Sequence, residues 1–199
     1  MAVEDPNWQV VRGRDLTEAY GVFPITSVLS NSAAIYMWKR NLAPPWLAQH
    51  SRQEMYDWCK KLVETPSGVI EGAQISHSLK SLGFELVGKL DAKKDSLNEF
   101  LSTPEHRKWA FKFLQDLEPH TPPIYVGQTQ NLEKRVRSHM SGVDGFGKKI
   151  SEHSNLSWDD LHLRYCIVTG KVEVTKKYIE AMEYITQVLT ISGYTTRAG

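Results

Sequence analysis

The sequence predicts an α/β or α+β chain, and three observations carry that prediction. Apolar, β-prone runs stand at Ala33 to Lys39, at Ile124 to Val126 and, alternating, at Asp160 to Val168. The second and third runs are each followed by a helical apolar period. Between the first and second runs lies a long stretch of different character, from 43 to 120, with its own helix signals. The coarse order is strand, insertion, strand, helix, strand, helix.

Taken in order, residues 1 to 32 read as a loop-rich lead-in, because Gly21, Pro24 and the Ser, Asn and Thr content interrupt DLTEAYGVF. The first strand stops at Asn41 and the Pro44-Pro45 pair, which cannot continue a central strand. Ser51 with Glu54 forms a capping box ahead of a helix whose Met55, Trp58, Cys59 and Leu62 share a face. Residues 67 to 90 hold four glycines around short β-prone runs, with a helix signal at Ser76 to Ser81. Ser102 with Glu105 reads as a second capping box, and Trp109, Phe113, Leu114 and Leu117 form the apolar face of the next helix. These two helices predict a small core of their own.

Pro122 to Met140 packs strand, turn and helix into nineteen residues. Gly127 is expected to end the strand at a sharp turn, and Asn131 to cap the helix. Leu132, Val136 and Met140 form its buried stripe, while Asn131, Arg135 and His139 share the neighbouring line. A glycine-punctuated loop, 142 to 147, leads to a short helix, KKISEH. After the strand at 160 to 168, a final helix is expected from about Val174 to Leu189, with Tyr178, Met182, Ile185 and Leu189 inward.

Composition narrows the function classes. The chain has 199 residues, 41% hydrophobic and 24% charged, with a formal charge of +1, so any nucleic-acid surface must be a local patch. Cys59 and Cys166 form neither a metal-ligand spacing nor a disulfide framework, and a reducing compartment is expected. The acidic MAVEDPNW has no apolar run of the secretory kind, and no run reaches membrane-spanning length. A cytoplasmic, DNA-associated, non-secreted protein is expected. There is no GxxxxGK[ST], no GxSxG and no HExxH.

Several motifs together resemble one family. Ala33-Ala34-Ile35-Tyr36, Ile124-Tyr125-Val126-Gly127, Gln128-Thr129, Asn131 to Arg135 with His139, and the ending Ser192-Gly193-Tyr194-Thr195 are similar to the GIY-YIG nucleases. Ala34 stands where the family has glycine, and Thr195 where asparagine is usual. The resemblance covers 33 to 40 and 122 to 199. It implies a small antiparallel sheet flanked by helices, with Tyr36 and Tyr125 on neighbouring strands, one of them a candidate general base. It implies that Arg135 clamps the scissile phosphate and that His139 donates to a phosphate oxygen or orients a tyrosine. A single Mg2+ or Mn2+ is implied, held by a glutamate, phosphate oxygens and water. Glu180 and Glu183 compete for that role, fifteen and twelve residues before Thr195, with Glu180 preferred on the Ser-Gly-Tyr ending. Gly127, Thr129, Lys134, Arg137, Lys148 and Lys39 are the candidates for substrate contact.

Taken singly, the tyrosines read as half-buried strand residues, Arg135 and His139 equally as a solvated helix face or as a site, and Glu180 as a surface glutamate. Their joint order points to a metal-dependent DNA endonuclease. Size and layout resemble the restriction branch, with a repair or homing nuclease as an alternative. The alternative class is a nucleic-acid-binding or regulatory protein that kept the fold and lost cleavage. The 88 residues between Tyr36 and Tyr125 are a candidate lobe for target recognition or for dimerisation on DNA.

Overall fold

The computed structural model describes residues 8–22, 29, 31–64, 94–152, 156–168 and 179–186. The glycine-rich segment 65–93 and the ending after 186 lie outside the described residues, and with them the expected helix at 76–81, Tyr178, Leu189 and the Ser-Gly-Tyr-Thr motif. The chain divides into two compact units, one of residues 1–40 and 122–199, the other of residues 41–121.

The first unit is built on a four-stranded antiparallel sheet. Its strands are β1 (Trp8–Arg12), β2 (Ala34–Arg40), β3 (Tyr125–Thr129) and β4 (Leu161–Ile167), in the order β1-β4-β2-β3. β1 is followed directly by a helix, α1 (Gly13–Val22). Residues 8–22 of the lead-in are therefore not a loop: β1 finds a full ladder on β4, from Trp8↔Cys166 to Arg12↔His162. Trp8, Val10 and Val11 are β-prone, but the run is short, and only its pairing with a strand about 150 residues away makes it part of the sheet.

Alternation along β2 sorts its side chains. Ala34, Tyr36 and Trp38 face one layer of the unit's core, and across the ladder they meet Ile167, Tyr165 and Leu163 of β4. Leu16 of α1 joins that core. So do Leu132 and Val136, each fully buried, which at roughly 1.5–3 kcal/mol apiece hold the helix after β3 onto the sheet. Ile35 and Lys39 point to the opposite face, where Lys39 pairs in register with His162.

The second unit contains α2 (Arg52–Glu64), α3 (Lys94–Phe100), α4 (Pro104–Leu117) and a 3-10 turn at Pro45–Gln49. The expected box at Ser51 and Glu54 is present, with the Ser51 N–H donating to Glu54 at 2.9 Å and the Glu54 N–H to Ser51 Oγ at 3.3 Å. Leu47, Met55, Trp58, Leu101 and Ala110 form the small core. Trp58 Nε1 donates to the Leu42 carbonyl at 2.8 Å, and Leu42 N–H donates to Glu118 at 2.8 Å, which ties the two ends of this unit together.

α4 departs from its expected face and cap. Thr103, not Ser102, accepts from His106 N–H. The Arg107 guanidinium donates to the carbonyls of Leu101 and Ser102 at 3.0 and 3.2 Å. The 107/110/111/114 side faces inward, so Leu114 of the expected face packs on the small core, while Trp109, Phe113 and Leu117 are left 60%, 49% and 39% exposed. Trp109 and Phe113 stack on each other instead.

Candidate active site

The site forms where β2, β3 and the next helix meet. In the β2–β3 ladder Tyr36 stands opposite Gly127 and Trp38 opposite Tyr125, so all four lie on one face. Gly127 is not a turn: it sits in the middle of β3, and its φ is not in the positive range. Its role is clearance. A Cβ there would lie 2.7 Å from both the Tyr36 hydroxyl and Tyr125 Cε1. Only a residue without a side chain lets the two phenols lean together, their rings 6.0 Å apart.

Helix α5 (Leu132–Met140) starts on Asn131, whose side chain accepts from Lys134 N–H at 2.8 Å. Thr129 Oγ1 bonds both the carbonyl and the N–H of Asn131, at 3.0 and 3.1 Å, which fixes the entry. With Leu132 and Val136 buried against the sheet, Arg135 and His139 are one turn apart and both reach the tyrosines. Arg135 Nε donates to the Tyr36 hydroxyl at 3.1 Å and Nη2 to the Tyr125 hydroxyl at 3.3 Å. His139 Nε2 lies 2.8 Å from that same Tyr36 hydroxyl. One phenol oxygen is shared by a guanidinium and an imidazole.

Exposure grades the network. Tyr36 and His139 are wholly buried, Tyr125 is half-buried, and the Arg135 side chain is 38% exposed. Burial, with Tyr125 close by, raises Tyr36 well above an ordinary phenol despite the opposing effect of Arg135. Burial lowers His139, and Arg135 adds to this while Asp144 opposes it. At neutral pH the pair is therefore a protonated phenol beside a neutral imidazole. Burial alone would lower Arg135, yet Tyr36 and Tyr125 raise it above the ordinary guanidinium value.

Asp144 completes the arrangement. It caps α6 (Gly145–Glu152), accepting from Gly147 N–H at 2.7 Å, and its other oxygen lies 2.7 Å from His139 Nδ1 and 3.6 Å from Arg135 Nη1. The helix begins three residues earlier than KKISEH suggests. With that start displaced, Asp144 reads as one more acid in a loop; an Asp three residues before Gly147 was the available signal.

The remaining predicted residues scatter. Lys39 is 4% exposed and lies on the far side of the sheet from Tyr36, so it is not beside the tyrosines; the two-residue period of β2 decides this. Arg137 is bonded to the buried Glu133 at 2.6 Å. Lys134 and Lys148 are exposed, Lys148 facing Glu152 at 3.8 Å. Thr129 serves the turn. Helix α7 (179–186) carries both glutamates. Ile179 is buried and Met182, Glu183 and Thr186 are half-buried, whereas Glu180 and Ile185 are exposed. That pattern marks 179/182/183/186 as the inward face, which includes Glu183 and excludes Glu180; Ile185, expected inward, is 44% exposed.

Among the described residues, no group of three His, Cys, Asp or Glu side chains could hold a metal ion. No helix among them is long and apolar enough to cross a membrane. No family model, no curated protein and no solved structure matches this chain.

The chemical capacity of the cluster is definite. It offers a partly exposed cation in front of two phenols, and behind them a neutral imidazole able to take a proton. Such a site can bind an anionic oxygen and deprotonate a hydroxyl or water next to it.

Proposed function

We propose that this chain is a metal-dependent DNA endonuclease of the GIY-YIG type, hydrolysing phosphodiester bonds. The observation that carries the proposal is the Tyr36 hydroxyl held between Arg135 Nε at 3.1 Å and His139 Nε2 at 2.8 Å, with Tyr125 on the same guanidinium. These are four of the residues named by the motif resemblance, and they come from three separate elements.

The division of labour follows from burial. Tyr125, half-buried, is the phenol a water molecule reaches, and Tyr36 behind it passes a proton inward to His139 Nε2. Arg135 donates to both phenol oxygens, which offsets negative charge on either as the proton leaves. Its side chain is 38% exposed, with Nη1 3.6 Å from Asp144, and this exposed side is the one that meets the phosphate, whose oxygens a guanidinium binds in pairs. The water oxygen bonds to phosphorus, its proton enters the tyrosine relay, and the departing sugar oxygen takes a proton from solvent.

A Mg2+ ion commonly takes one or two carboxylates, with phosphate oxygens and water filling its shell. Asp144 is engaged by His139, Gly147 and Arg135; the resemblance puts the metal carboxylate on α7, where Glu183 lies on the half-buried side and Glu180 is exposed. When bound, the ion would supply charge compensation at the phosphate.

Supercoiled plasmid incubated with the protein and Mg2+ or Mn2+, beside Arg135→Ala, tests the proposal. Cleavage by the wild type and a loss of at least about 10²-fold in the variant are expected. Equal, intact plasmid with both proteins and both metals refutes it. The full burial of Tyr36 favours one second reading, a nucleic-acid-binding protein that keeps the cluster without cutting; binding that weakens in Arg135→Ala, without cleavage, would establish that reading instead.

A further inference from the structure

We infer that Asp144 is a positioning residue, holding His139 as the tautomer protonated on Nδ1 so that Nε2 faces the Tyr36 hydroxyl as an acceptor. Its consequence for cleavage rests on the nuclease reading above; the tautomer itself does not.

The geometry separates this role from helix capping. The cap uses Asp144 Oδ1, which accepts from Gly147 N–H, together with the Asp144 carbonyl, which accepts from Lys148 N–H at 2.9 Å. Capping leaves Oδ2 unexplained. That oxygen is 2.7 Å from His139 Nδ1, and the two buried atoms have no hydrogen-bond partner unless they pair with each other. Buried polar atoms of this kind are satisfied by one another or cost stability. With Nδ1 carrying the proton toward the carboxylate, Nε2 keeps its lone pair. The Tyr36 oxygen already accepts from Arg135 Nε, so its own proton is directed to Nε2.

The turn that carries Asp144 is held in place. Gly142 adopts φ +69°, which favours glycine, and a Cβ on Gly147 would lie 2.0 Å from the His139 carbonyl oxygen. The first turn of α6 thus rests directly on the end of α5. The groups facing His139 are Tyr36 from β2, Tyr125 from β3, Arg135 from its own helix and Asp144 from this turn, with Trp38 and Phe146 as apolar walls. Asp144 is the one anion among the charged groups just named, and it also lies 3.6 Å from the Arg135 guanidinium. Burial pushes its carboxyl up, but His139, Gly147 and Arg135 outweigh this and bring it to about 2.

The test uses full-length protein with 15N-labelled histidine, His139→Gln to assign the signal, and Asp144→Asn. Asparagine keeps the cap oxygen and offers an amide N–H toward Nδ1, which favours the opposite tautomer. Expected for wild type is the Nδ1–H pattern in the ring nitrogen shifts. Expected for Asp144→Asn is a shift toward Nε2–H and a lower His139 pKa, with Tm within about 2 °C. A wild-type Nε2–H pattern, or an unchanged tautomer in the variant, overturns the inference. In plasmid cleavage, Asp144→Asn is expected to lower kcat about 100-fold and to move the acid limb of the pH profile downward. Loss of a structural prop alone would move Tm and not that limb. An inactive wild type combined with the expected tautomer shift would reject the nuclease proposal and leave the Asp144 assignment standing.

Discussion

Replacing Gly127 with alanine probes the site's geometry through a single methyl group. The backbone at 127 has no positive φ, so alanine is conformationally acceptable there. On strand propensity alone it should stabilise the chain by up to about 1 kcal/mol. Packing predicts the opposite sign. The new Cβ would stand 2.7 Å from the Tyr36 hydroxyl, 2.7 Å from Tyr125 Cε1 and 2.9 Å from Tyr36 Cζ. Ordinary contact requires about 3.5 Å or more, so the phenols must retreat by roughly 0.8 Å. Tyr36 has nowhere to retreat, being wholly buried and bonded to Arg135 and His139. Overpacking of this kind costs about 1–3 kcal/mol. For a chain of this length that corresponds to a Tm lowered by about 3–10 °C in a calorimetric or circular-dichroism melt. Displacement of the phenols by a large fraction of an ångström is expected to slow single-turnover cleavage by about 10²-fold. An alanine variant with unchanged or higher Tm and unchanged cleavage would show that the tyrosine hydroxyls do not converge over residue 127.

Two further outcomes are expected. Glu183→Gln should abolish metal-dependent cleavage by about 10²-fold or more while Glu180→Gln stays within about threefold of wild type, measured across a Mg2+ titration; the reverse order would return the carboxylate to Glu180. His162 is buried, and burial, Lys39 and Arg164 together bring it down to about 4. Its folded value lies below the unfolded value near 6.5, so the unfolded chain binds the proton first. Stability present above pH ~6.5 is then lost as pH falls toward about 4, on the order of 2–3 kcal/mol. Urea melts from pH 7.5 to 4.5 should show this decline, and His162→Gln should reduce it, leaving the part of the slope due to His139, which burial also lowers. An unaltered slope in that variant would refute the assignment.

Much of the site was legible because its residues follow short-range rules. Asn131 caps because its oxygen reaches an N–H three residues on, and Leu132 and Val136 mark the buried stripe of α5 at helical spacing. Arg135 and His139 then share a line, whatever the rest of the chain does. The β-prone runs around Tyr36 and Tyr125, and the box at Ser51 and Glu54, are local in the same sense.

What the sequence left undecided depends on partners distant along the chain. β1 is a strand because β4 offers it a ladder; Trp8, Val10 and Val11 are β-prone, but five residues cannot show which strand they pair with. α4 packs Ala110, Phe111 and Leu114 on the small core and leaves Trp109 and Phe113 outward. Of Trp109, Phe113 and Leu114 in the expected face only Leu114 is inward, and only the packing of the neighbouring helices decides which side that is. Gly127 was legible as a special position, but only the β2–β3 register shows that its purpose is room for Tyr36 rather than a turn. Asp144 was legible as an acid; the close packing of α6 on α5 brings it to His139 Nδ1. By itself the sequence determined the residue types able to handle a phosphate and a proton, together with their local spacing. The tertiary structure decided which of them share one oxygen, because hydrogen bonding acts over about 3 Å and only packing of the sheet and helices brings such atoms that close.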